Sequence, residues 1–501
     1  MKAPQIKDTP VGIKKNNLPQ KYAIDFDRKS FIIKGRREIL IGGEFHYFRT
    51  PCALWEDRLT KMKRSGANLV SSYVPWNWHE PVEGVQLWED DRDVRRFLQL
   101  CLEKDLFVIL KPGPYCCAEL DFGGHPDWLI GKNIPLRRLD DRYLSFAEKW
   151  YQSVAKVISP FLITNGGSIV CVQVENEYDH LLWYGDDKIS IEEAITYFKK
   201  LEQMLTHFGI DVPKFANEAE FLRGSGIIDS RTYYPNIPTF TDWMWEFEHY
   251  DDKIAAARQQ QPDCPTMIME LQKGWFGAHG HSNYFPELSH TQSVAKSVLM
   301  QGASVLNFYL FTGGSTFPFW GCRGDEWAAD RWGSISTFNP VGCGVTTSFD
   351  FGGSFIREWG DLLVPGYRWI KAFNLFVHDF KDFMLNSVET DDIQAVLVDD
   401  EIQVMYDNPH KPEIPSGTIE KFSTLTKKLN DQYLCCVRNL GSDDRLVKIL
   451  WKKTNRTIIN PLKVKSHETL LLPIGVQVPG TDILIHHSTS EFLFARKWQG
   501  R

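Results

Sequence analysis

At 501 residues the chain is too long for one ordinary core and long enough for a large domain with smaller attachments. Its 43% hydrophobic and 24% charged residues are ordinary for a soluble globular protein, and no apolar run reaches the roughly 18–20 residues of a membrane span. A net charge of -7 with no basic block argues against a nucleic-acid partner.

Residues 1–20 read as a loose, Lys-rich arm without the apolar core of a signal peptide. Tyr22-Ala23-Ile24-Asp25-Phe26 and Phe31-Ile32-Ile33, joined by the charged turn Asp27-Arg28-Lys29, predict a short hairpin. From Ile39 onward short apolar runs alternate with helical stretches. Strands are predicted at 39–41, 68–74, 106–110, 168–174, 266–269 and 305–311, with fainter ones near Lys214-Phe215-Ala216 and Arg231-Thr232-Tyr233-Tyr234. Helices are predicted over 55–65, 91–104, 143–158 and 191–208. Continuous apolar strands in βα alternation imply a parallel sheet, and eight such units fit a closed TIM barrel, (β/α)8, over residues 39–376. An open doubly wound sheet is disfavoured because no glycine-rich phosphate loop follows the first strand. Helical periodicity then fades, and runs such as Gln432-Tyr433-Leu434-Cys435-Cys436-Val437 predict an all-β domain over 377–501, after an arm and hairpin over 1–38. The 10 cysteines show no CxxC and no metal-ligand spacing, which fits reduced thiols and a cytoplasmic location.

In such a barrel the active site lies at the C-terminal ends of the strands. Here the residues that follow the apolar runs are polar and aromatic almost every time: Glu44, His46, Tyr47 and Arg49; Tyr73 to Glu80; Tyr115 to Glu119; Glu175, Asn176 and Glu177; Glu270 and Trp275; and, after the last run, Thr312, Gly313 and Gly314. A lone carboxylate at a strand end is usually a solvated rim residue, but six such ends converging on one mouth are hard to assign to packing. Glycoside hydrolysis needs two carboxyls, one protonated and one ionised. Glu177 and Glu270 are 93 positions apart, about three βα units at roughly 30 residues each, which places them on facing strands four and seven, near enough for the about 5–5.5 Å of a retaining pair. Side-chain alternation does not choose between Glu175 and Glu177, which share a face if the chain stays extended; Glu177 lies deeper into the mouth.

Four stretches make the chain resemble glycoside hydrolase family 35, the acid-type β-galactosidase family. They are Gly43-Glu44-Phe45-His46-Tyr47-Phe48-Arg49, Tyr73-Val74-Pro75-Trp76-Asn77-Trp78-His79-Glu80-Pro81, Lys111-Pro112-Gly113-Pro114-Tyr115-Cys116-Cys117-Ala118-Glu119 and Val172-Gln173-Val174-Glu175-Asn176-Glu177-Tyr178. Weaker matches are Glu270 with Gly274-Trp275, and Asn307-Phe308-Tyr309. The resemblance implies that Glu177 is the acid/base and Glu270 the nucleophile of a retaining, exo-acting β-glycosidase. It implies that Tyr73, Ala118, Glu119 and Asn176 line the terminal-sugar pocket, with Trp275 and Tyr309 from the weaker matches, and that no cofactor or metal is needed. His279 and His281, two apart with no third ligand, are a weak metal signal.

Two positions depart from the family pattern. Phe319 and Phe351 fall where the family carries tyrosines, so two sugar-contacting hydroxyls are missing and the sugar read is expected to shift. The partner expected is an oligosaccharide or glycoside: a β-galactoside, or by the same mechanism an amino sugar or a galactofuranosyl, arabinosyl or fucosyl-like residue. A non-catalytic carbohydrate-binding barrel is the reading from a different class. Homo-oligomerisation is left open.

Overall fold

In the computed structural model the described residues are 23–184, 189–235, 243–275, 286–316, 347–398, 422–441, 443–478 and 480–491. The N-terminal hairpin gains a third strand, giving the antiparallel sheet β1 (Ile24–Phe26), β2 (Phe31–Ile33) and β3 (Arg36–Glu38). Eight parallel strands then close a barrel: β4 (Leu40–Phe45), β5 (Leu69–Tyr73), β6 (Phe107–Lys111), β7 (Ile169–Gln173), β8 (Lys214–Asn217), β9 (Ile228–Tyr233), β10 (Thr266–Gln272) and β11 (Ala303–Thr312). Each is a pure buried run except for one half-buried residue in β6, as expected of strands covered on both faces.

The helices around the barrel follow local rules. Asp93, Asp140 and Ser190 cap the helices Val94–Glu103, Asp141–Ile158 and Ile191–His207 by accepting from backbone N–H groups of the first turn. In Asp141–Ile158 the buried side chains Tyr143, Ala147, Trp150, Tyr151 and Val154 recur at helical spacing and form one stripe against the barrel. Gly42 in β4 admits no side chain, because a Cβ there would lie 1.9 Å from the carbonyl oxygen of Leu69 on β5.

The chain remains helical past Val377, through Val364–Asp379 and Lys381–Asn386, because Phe373, Phe376, Phe380 and Phe383 are still buried at helical spacing. Two short strands after the barrel, β12 (Gly314–Ser315) and β13 (Ser348–Phe349), pair antiparallel. The all-β part follows the last helices as two sheets. One has the order β14 (Val388–Thr390), β16 (Phe422–Leu429), β17 (Gln432–Asn439), β20 (Thr469–Gln477) and β21 (Leu484–His487); the other is β15 (Ile393–Leu397), β18 (Arg445–Trp451) and β19 (Arg456–Val464). The protein is therefore a TIM barrel with a C-terminal all-β domain. Among the described residues no helix is long and apolar enough to cross a membrane.

Candidate active site

The carboxylates at the ends of barrel strands four and seven, β7 and β10, take different surroundings. Glu175 and Glu177 do not share a face. Both have left-handed backbone, φ 69° and 46°, so the extended geometry that would put them side by side is absent and the chain turns between them. Each such residue costs on the order of 1–3 kcal/mol unless its surroundings hold it. Glu175 is held: Arg137 donates to both of its oxygens at 3.0 Å, Tyr197 Oη donates at 3.0 Å, and the backbone N–H of Asn176 donates at 2.8 Å. It is fully buried, with its acceptors engaged by protein donors. Glu177 remains partly exposed, and its charge is felt at Glu270 across the mouth.

Glu270 is buried and surrounded by donors. Tyr234 Oη donates to Oε2 at 2.7 Å; Asn217 Nδ2 and Tyr73 Oη donate to Oε1 at 3.2 and 3.4 Å. Burial, and after it the charge of Glu177, push the Glu270 carboxyl up to about 8, against the opposing influence of Lys111 and the Tyr234 bond. Burial and the Glu270 charge in turn push the hydroxyls of Tyr73 and Tyr234 well up, so both stay protonated and donate. Burial and the neighbouring charge thus favour a proton on the Glu270 carboxyl over the middle pH range. The three donors act against this and favour the ionised form of Glu270.

Behind this pair lies a second polar layer. Glu44 on β4 pairs with Lys111 on β6, both buried, and accepts from Asn307 Nδ2 on β11 at 2.9 Å. The Lys111 ammonium sits 3.7 Å from the Tyr73 ring centroid, so it holds the ring that reaches Glu270. Burial, then the charges of Arg49 and Lys111, keep His46 well below its usual range and hence neutral. Arg49 lies 3.8 Å over the Phe349 ring and donates to the Ala118 carbonyl oxygen at 2.6 Å, which fixes a turn in which Cys117, Ala118 and Glu119 are all left-handed.

Most of the residues singled out in the sequence meet at this mouth. Asn176 is buried, and its Oδ1 accepts from Gln173 at 2.8 Å and Asn217 at 3.3 Å. Tyr309 packs against His46 and Phe351 and reaches Glu119 Oε2 at 3.4 Å. Trp275 packs on Tyr234 with centroids 5.3 Å apart, and Phe351 is buried between Tyr309 and Trp275 at 4.8 and 6.0 Å. Phe319, His279 and His281 lie outside the described residues. Among the described residues no group of three His, Cys, Asp or Glu side chains could hold a metal ion.

Sequence reasoning missed Tyr234, Asn217 and Arg137. The first two end strands six and five, and that position was the available signal. Arg137 lies between helices with no periodic pattern to mark it.

Fold and site define a class: a TIM-barrel protein presenting two coupled carboxyls, from strands four and seven, in a mouth lined by tyrosines and amides. The model of Glycosyl hydrolases family 35 matches residues 30–374, more than half of the chain, and the protein belongs to that family. It is similar to the beta-galactosidase of Homo sapiens, 34% identical over 320 residues (63% of this chain, 45% of that protein), and to that of Mus musculus, 35% over 350 residues (69% and 49%). The beta-galactosidase-1-like protein of Mus musculus is 33% identical over 341 residues (68% and 48%). The chain spans about half the length of these relatives. The crystal structure of the beta-galactosidase from Rahnella sp. R3 shares the fold, with a TM-score of 0.52 at 11% identity over 87% of this chain and 98% of that one.

Proposed function

We propose that the protein is a retaining, exo-acting β-galactosidase-like glycosidase, with Glu177 as acid/base and Glu270 as nucleophile. The observation that carries this reading is the asymmetry of the pair: Glu270 is buried among three hydrogen-bond donors, while Glu177 is partly exposed and electrostatically coupled to it. In the first step Glu177 gives its proton to the glycosidic oxygen as Glu270 attacks the anomeric carbon, forming a glycosyl ester and releasing the aglycone. In the second, Glu177 takes a proton from water, which displaces Glu270 and returns the enzyme to its starting state. The substrate is a terminal β-galactoside, a class supported by the names of the relatives. Tyr73, Asn176, Trp275 and Tyr309 form the pocket wall, with Phe351 packed beside Tyr309 and Trp275. Among the described residues no two cysteines are joined by a disulfide, which supports a reducing compartment such as the cytoplasm.

Two variants test the roles. Glu270→Gln should lose turnover on every nitrophenyl glycoside, because no ester can form. Glu177→Ala should retain activity on substrates with good leaving groups and regain rate with azide, giving a β-glycosyl azide. Proton NMR of the first-formed sugar should show the β-anomer. Equal loss on all substrates without azide rescue, or an α-anomer appearing first, overturns the assignment.

A further inference from the structure

The floor of the barrel, opposite the carboxylate mouth, holds a cavity of about 400 Å³. It opens beneath the N-terminal ends of β4, β10 and β11, where Ile39, Cys264 and Ala303 line it. Three separate parts of the chain meet there: the turn of the N-terminal hairpin, the barrel floor, and strand β16 of the all-β domain. The charge of its lining is one-sided. Arg28, Lys29, Arg258 and Lys427 all line the cavity, and among the described residues no carboxylate does.

The outer cations are partly engaged. Lys29 Nζ donates to Asn386 Oδ1 at 3.0 Å, and Arg258 Nη1 donates to the Gln301 carbonyl oxygen at 2.7 Å and to Glu389 Oε1 at 2.8 Å. Lys427 is different. It is 3% exposed, and among the described residues its ammonium has no hydrogen-bond or ion-pair partner. Glu389 is its cross-strand neighbour, but that carboxylate is taken by Arg258. An ammonium carried by so buried a side chain is costly to leave without a counter-charge, and proteins normally pair it or give it an anion. Burial holds Lys427 down to about 8, with the Arg258 charge adding to the effect and Glu389 opposing it.

We infer that this cavity is a binding site for a small phosphate-class oxyanion, with Lys427 at its base and Arg28, Lys29 and Arg258 around it. Guanidinium and ammonium donors suit a tetrahedral dianion, and the volume exceeds what inorganic phosphate requires, leaving room for a small ester group against Ile39 and Met384. The site is independent of the carboxylate mouth. Its ligand would tie hairpin, barrel and β-domain together, so binding stabilises the fold by mass action.

Inorganic phosphate is the probe, titrated at pH 7 with ionic strength held constant by sodium chloride, and read by calorimetry and thermal unfolding of the full chain. Wild type should bind one equivalent saturably, and its Tm should rise with phosphate beyond any rise caused by chloride. Lys427→Met should weaken phosphate at least tenfold, with nitrophenyl galactoside turnover unchanged. Arg28→Gln combined with Lys29→Gln, at exposed and half-buried positions, should weaken it several-fold and serves as the deciding variant if Lys427→Met fails to fold. No saturable binding to wild type, or unchanged affinity in whichever of these variants folds, overturns the proposal.

Discussion

Glu270 carries an electrostatic cost that the rest of the barrel absorbs. Its carboxyl is raised from the ordinary 4.5 to about 8, so between those values the native protein holds a proton that the unfolded chain has lost. With more protons bound in the native state, stability falls as pH rises across that window. Glu270→Gln removes the titration. It should therefore stabilise the protein by about 1–3 kcal/mol at pH 8 and by much less near pH 4.5. Thermal unfolding of both proteins from pH 4.5 to 8 checks it, and a difference that does not grow with pH would contradict the cause assigned here. Tyr234→Phe acts in the opposite sense on the same group. The Tyr234 bond holds the Glu270 carboxyl down, so its loss should move the acidic limb of the pH–rate profile upward. A hydrogen bond to a charged group contributes about 1.5–3 kcal/mol, so kcat/KM should fall by about 10–150-fold. An unshifted acidic limb would show that Tyr234 acts on substrate rather than on Glu270. Glu270 stands out in the sequence because it directly follows an apolar strand run, whereas the preference for Glu177 over Glu175 comes from the family resemblance. The separation of Glu175 from Glu177 was not legible, because it depends on two left-handed residues and on Arg137, a distant partner.

At the scale of elements, legibility followed apolarity. Strands such as Ile169–Gln173 and Ala303–Thr312 are rich in apolar residues and read directly. Strand β9, Ile228–Tyr233, is just as buried but reads Ile-Asp-Ser-Arg-Thr-Tyr. Its polarity is tolerated because Arg231 pairs with Glu218 at 2.8 Å and with Asp229 at 3.4 Å, while Thr232 donates to Glu218 through its backbone N–H at 2.7 Å. Such a strand reads only faintly in the sequence, over Arg231-Thr232-Tyr233-Tyr234, and nothing there marks the bond of Tyr234 to Glu270. The loops at the mouth depend on close backbone contacts in the same way. Gly274, after β10, meets the loop containing Phe351, and a Cβ there would lie 1.6 Å from the Phe351 carbonyl oxygen. Gly274→Ala should push that loop away from Trp275 and Tyr309. We expect a loss of about 1–3 kcal/mol in stability and a larger proportional effect on KM than on kcat, since the pocket wall moves while the carboxyl pair stays. Steady-state kinetics with a β-galactoside decides this; a change confined to kcat would place the loop's influence on chemistry instead.

The whole molecule is built so that the all-β domain completes the barrel's core. Strand β17 shows how. Leu434 and Cys436 join the hydrophobic cluster of the barrel, whereas Tyr433, Cys435 and Val437 join a second cluster between the two β-sheets. The period of two in the strand thus places one face on each core. Leu471 and Val476 on β20 add to the barrel side, and Leu472 and Ile474 to the other. Polar ties cross the same boundary. Lys296, in the helix Leu288–Met300, donates to the Thr469 carbonyl oxygen at 2.7 Å and pairs with Glu491 at 2.7 Å; Arg438 pairs with Asp251 at 2.7 Å. Lys296 and Arg438 are both buried. Two hydrophobic clusters would suggest two unfolding units, but the shared strands bind the barrel to the first sheet, and that sheet to the second. The expected outcome is one cooperative transition in scanning calorimetry, with calorimetric and van't Hoff enthalpies in agreement. Lys296→Met should lower the stability of that single transition by about 1–3 kcal/mol, since it leaves the Thr469 carbonyl without its buried donor and Glu491 without its ion partner. Glycosidase activity and β-domain signals should then be lost together on heating. If Lys296→Met instead splits the transition, with activity outlasting the first step, the β-domain folds as a separate unit and the barrel does not need it.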